Sequence, residues 1–217
     1  LNANKITCVV ETNWKYKFRI FFDMSSEKKQ DLKTYTSDLH ALERHLMNAI
    51  KKQKTSDRVT DKRAVELLNN LDKMASSHVQ KLNAELDQMG AEVKSSIKSK
   101  IASFAGSVAG MIDTVRDDAL SKMLRDDYAA LSMITIGYTM LHTHALSNEN
   151  DKLAELSKKH LDDCTILITE ISKVIPMVTA YEINSDTNRA EEIGQQALQN
   201  TQESWSAEHI NSELQLA

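Results

Sequence analysis

Four stretches of this chain carry apolar residues at steps of three and four. That spacing admits long amphipathic helices, each obliged to bury one face against the others. The first seam is Leu32, Tyr35, Leu39, Leu42, Leu46, Ala49 and Ile50, and the second is Ala64, Leu68, Leu71, Ala75, Leu82, Leu86 and Met89. The third is Leu120, Leu124, Leu131, Ile134, Tyr138, Leu141 and Ala145, and the fourth is Leu153, Leu156, Cys164, Leu167, Ile171, Val174 and Val178. The pattern predicts helices over about 26–54, 60–90, 117–146 and 151–183, with Ser25 or Ser26, and Thr60 or Asp61, as caps. Pro176 falls inside the fourth pattern and predicts a kink or an early end there. With one proline and five glycines, the chain reads as all-α with short connections.

Each seam is interrupted by one polar residue able to bind metal: Glu43, His78, Asp127 and His160, in helix order. A polar group on a buried seam is costly unless paired or coordinated. Two readings follow. The four form a shared metal site inside a bundle, or they are buried couples, Glu43 with His78 and Asp127 with His160. A di-metal bundle carries a glutamate three residues before each histidine, and here those positions hold Ala75 and Ser157. Asp163, one turn beyond His160, is a substitute carboxylate, whereas Asp72 lies too far before His78. The donor set supports one weakly held metal ion at most. His40, His45, His142, His144 and His209 read as surface residues.

The flanks differ in character. Residues 1–23 alternate in a strand-like way and hold five of the eleven aromatics, ahead of Met24-Ser-Ser. They read as an atypical N-terminal extension, either non-native or an ordinary arm. Residues 24–183 form the helical domain, and 184–217 are an acidic, Gln/Asn-rich tail that suits either a short helix over 187–205 or a mobile end. Between the second and third helices, 92–115 is a long connection with Gly106 and Gly110, which suggests a crossover or an accessory helix. The weakly polar run 101–112 is too short to span a bilayer, which needs ~20 residues, so no membrane association is expected. A net charge of −4 gives no footprint for nucleic acid. Cys8 and Cys164 imply no disulfide framework. Nucleotide-binding, serine-hydrolase and paired-cysteine zinc motifs do not occur.

Four short stretches, spread over 27–182, resemble the ferritin-like superfamily, and within it the YciE/YciF-type bacterial stress proteins. They are Ser37-Asp-Leu-His-Ala-Leu-Glu43, Ser77-His78-Val-Gln-Lys-Leu, Arg125-Asp-Asp-Tyr128 with its continuation to Tyr138, and Leu156-Ser-Lys-Lys-His160-Leu-Asp162-Asp163. The resemblance implies a ferritin-like four-helix bundle with an accessory segment, cytoplasmic, dimeric and stress-related, without nucleic-acid or membrane partners. It also implies Glu43, His78, Asp127, His160 and Asp163 as ligands of iron or manganese, if of any metal. Ala75 and Ser157 argue against a di-iron oxidase or ferroxidase. A metal-free interaction module is the competing expectation.

Overall fold

A computed structural model describes residues 31–90 and 119–206. The 1–23 extension, the expected start of the first helix, the 92–115 connection and the tail beyond 206 lie outside the described residues. What is described is all-helical. Helix α1 covers 31–53, α2 Lys62–Gln88, α3 Leu120–Ser147, α4 Asp151–Ile183 and α5 Thr187–Ser204. No strand occurs among the described residues.

The helix ends are set by local chemistry. Asp61 accepts from the backbone N–H groups of Arg63 and Ala64, Asn150 from Leu153, and Asp186 from Asn188 and Arg189. Gly90 follows α2 with φ +63°, the left-handed conformation that glycine adopts at no steric cost. Of the two effects expected of Pro176, a kink or an early end, the early end does not occur: α4 continues to Ile183, the bound that the periodicity predicts. Proline removes one N–H, but the turn beyond it buries Met177, Val178 and Ala180, and packing outweighs local propensity. In the tail, α5 is a docked helix with Ala190 and Gly194 buried; Gly194 rests on Met177 of α4.

Contacts between helices fix their directions. Tyr35 packs against His144, Glu43 meets Tyr138 and Gln53 meets Asp127, so α1 and α3 are antiparallel. Glu43 with His78, and Lys33 with the Gly90 carbonyl, make α1 and α2 antiparallel. Lys152 with Gln88, and Asp163 with His78, do the same for α2 and α4. His142 with the Ala154 carbonyl, and Ser121 with Glu182, do so for α3 and α4. Thus α1 and α4 run one way, and α2 and α3 the other.

The core is one continuous cluster along these seams, with Leu46, Ile50, Leu71, Leu82, Leu124, Tyr138, Leu141 and Leu153 fully buried. By length and composition alone, α4 is apolar enough to cross a membrane. Its seam, however, lies within this core.

Candidate metal centre

At one level of the molecule α1, α2, α3 and α4 each turn a polar side chain inward. His78 Nδ1 lies 2.7 Å from Glu43 Oε1, and Tyr138 donates to the same oxygen at 3.0 Å. His160 Nδ1 lies 2.9 Å from the Tyr138 hydroxyl. The His78 and His160 rings stack with centroids 3.7 Å apart. None of the four side chains is more than 1% exposed.

Proton positions follow from counting donors. A carboxylate only accepts, so Tyr138 O–H and His78 Nδ1–H both donate to Glu43. Tyr138 has one proton, so its oxygen accepts from His160 Nδ1–H. Burial, then the nearby Glu43, holds the Tyr138 phenol well above its ordinary range, and the proton stays. Burial, then His78, Lys81 and Lys159, pulls His160 down to about 2. His160 is therefore neutral, with its Nε2 lone pair bare.

Among the described residues, two buried atoms at this level lack a partner: Glu43 Oε2 and His160 Nε2. Interiors rarely leave such acceptors unsatisfied. Cys164 lies one helical turn after His160 and is fully buried. Glu43, His78 and Cys164 each present a ligand atom, and the three atoms lie within 4.8 Å of one another. Burial, then Glu43 and Asp163, pushes the Cys164 thiol up, with a hydrogen bond to Thr135 opposing. Asp163 reaches the cluster from its partly exposed edge, 3.3 Å from His78 Nε2.

Asp127 is elsewhere. Gln53 Nε2 donates to its Oδ1 at 2.9 Å, leaving Asp127 Oδ2 and Gln53 Oε1 buried without partners among the described residues. Gln53 and Glu43 are ten residues apart on α1, which is about 15 Å along the axis. Of the residues singled out in the sequence, Glu43, His78, His160 and Asp163 come together, and Asp127 does not. The couple expected between Asp127 and His160 does not form. Each takes a different partner.

A di-metal centre does not fit these residues. Ala75 and Ser157, the positions expected to hold glutamates, are fully buried and bring only a methyl and a hydroxyl. The Ser157 hydroxyl is already bonded to the Leu153 carbonyl. One ion fits better, because Glu43, His78 and Cys164 supply one oxygen, one nitrogen and one sulfur.

Sequence reasoning missed Tyr138, Cys164 and Gln53 as polar partners. The available signal was spacing, since Cys164 follows His160 by four residues and so shares its face. His40 is another correction: expected at the surface, it is 2% exposed. Residues 39–43 of α1 are all buried, so this turn is covered on every side and its polar face is not solvated. Burial draws His40 down to about 4, with Arg44 adding and Asp87 opposing.

The chain matches no family model, no curated protein and no solved structure.

Proposed function

We propose that this chain is a ferritin-like four-helix bundle that binds a single divalent metal ion in its interior, without the di-metal centre of the ferritin-like di-iron proteins. A protective, stress-related role is the setting that its resemblance to the YciE/YciF-type proteins implies. The helix directions support the bundle. With α2 and α3 parallel, α2 ends at one end of the bundle and α3 starts at the other, the helix arrangement found in bundles of crossover topology.

The observation that carries the metal reading is the convergence of Glu43, His78 and the buried thiol of Cys164, with Glu43 Oε2 left without a partner among the described residues. Two ions would need bridging carboxylates, and among the described residues this level offers Glu43 and the partly exposed Asp163. Purified without chelators, or titrated with Zn²⁺, Mn²⁺ and Fe²⁺ under anaerobic conditions, the protein should take up about one ion per chain. Glu43→Ala should abolish uptake, and Glu43→Gln should weaken it while keeping the shape of the site. Two ions per chain, or none, would overturn the reading.

One observation favours a second reading, a metal-free interaction module. Met133, Ile136 and Met140 form an exposed stripe at helical spacing on α3. A folded protein that binds no ion and self-associates through this stripe would support it.

A further inference from the structure

We propose that the interior ion is one that takes a thiolate, of the zinc class, and that Cys164 is its third protein ligand beside Glu43 and His78. This rests on the single-ion reading above and adds to it the identity of the donor set. The resemblance pointed to iron or manganese held by carboxylates and imidazoles. Among the residues that converge, Cys164 lies outside that set.

Cysteine is among the most buried residue types and commonly packs as a small hydrophobe. Its company here decides against that role. Its sulfur lies within 4.8 Å of a donor atom of Glu43 and one of His78, and Glu43 Oε2 has no partner. An apolar side chain at residue 164 would fill the same space without placing an ionisable sulfur against a carboxylate. A cation among the three inverts that repulsion, since a coordinating thiol is deprotonated outright. Coordination would replace the S–H bond of Cys164 by a sulfur–metal bond and release one proton to solvent, while Glu43 donates a lone pair and His78, whose Nδ1 is held by Glu43, coordinates through Nε2 once that nitrogen carries no proton.

The mixture of donors selects the metal. Thiolate and imidazole suit zinc, and three protein ligands with a fourth position open is one of its recurring arrangements. Manganese and magnesium prefer sites rich in oxygen. Besides Glu43, the described residues bring the carboxylate of Asp163, which faces His78 Nε2 at 3.3 Å and Lys159 at 3.9 Å. The three ligands come from α1, α2 and α4, so one ion ties together three helices. Tyr138 of α3 joins them through its bond to Glu43.

Co²⁺ titrated into the full chain tests the assignment, because cobalt reports its ligands by colour. One equivalent should bind with thiolate-to-cobalt charge-transfer absorption in the near ultraviolet, and Zn²⁺ should bleach it by displacement. The band should persist in Cys8→Ser and vanish in Cys164→Ser. Zn²⁺ affinity should fall by about a hundredfold or more in Cys164→Ser and in Cys164→Ala, with metal-free helicity in both variants checked by circular dichroism. If both variants unfold, the wild-type and Cys8→Ser spectra decide alone. Cobalt bound without the charge-transfer band, or Mn²⁺ bound as tightly as Zn²⁺, would overturn the assignment to Cys164 and leave the single-ion reading standing. No cobalt binding would overturn both.

Discussion

A buried carboxyl with no cation beside it is held most cheaply in its protonated form, and Asp127 is such a group. Burial raises it from 3.8 to about 7; the Gln53 hydrogen bond opposes the shift and Asp126 adds to it. A proton on Oδ2 is also the donor that the two orphaned acceptors of this pair lack. The folded state thus binds this proton more tightly than the unfolded chain does. The resulting stabilisation is complete below about pH 4 and is lost as pH rises through about 7. Asp127→Asn keeps the shape and removes the titration. Urea unfolding of this variant should show a flatter pH dependence between pH 5 and 8, and a gain of about 1–3 kcal/mol over the parent at pH 8. A variant that loses stability at pH 8 would sink this account. Asp127 also marks the limit of the sequence. Its place on a buried seam was legible from spacing, because periodicity fixes the angle of a side chain about its helix. Its partner was not, because periodicity says nothing of how far one helix slides along another. That axial register separates Asp127 from His160 and puts it against Gln53.

The element ends were largely legible, and the reason is chemical. Asp61 and Asn150 cap where their side chains reach free N–H groups, and such caps are local in sequence. What the proline rule alone left open was the end of α4, because the effect of Pro176 depends on what the next turn packs against. That partner is α5, held close at Gly194. A Cβ there would lie 2.8 Å from Met177 Sδ and 3.2 Å from Met177 Cα. The sulfur can swing away, but the backbone cannot. Gly194→Ala should therefore lift α5 from α4, with overpacking of about 1–3 kcal/mol outweighing the roughly 1 kcal/mol that alanine adds to an exposed helix. Limited proteolysis should then cut faster between Ile183 and Thr187 while the remaining helices keep their protection. Unchanged proteolysis in the variant would mean that Gly194 does not set the approach of the two helices.

At the scale of the whole molecule, the strongest consequence of the contacts is the direction of α2 and α3. An up-down-up-down arrangement joins its second and third helices at one end, by a short loop. Here the end of α2 lies with Lys33 and Lys152, whereas the start of α3 lies with Glu182, at the far end of α4. A 27-residue α2 is about 40 Å long, so Gln88 and Lys122 should sit some 35–40 Å apart although the intervening chain would permit contact. Spin labels at cysteines placed at these two exposed positions, on a Cys8→Ser background with Cys164 buried, measure that separation directly. A distance near 35–40 Å is expected for parallel α2 and α3. A distance under about 20 Å would require the second and third helices to be antiparallel neighbours. That outcome would move Tyr138 away from Glu43 and dismantle the interior centre with it. The geometry of the metal site and the path of the chain are in this sense one claim, because α3 brings Tyr138 to the level of Glu43 and His160 only when it enters from the end opposite to Gly90.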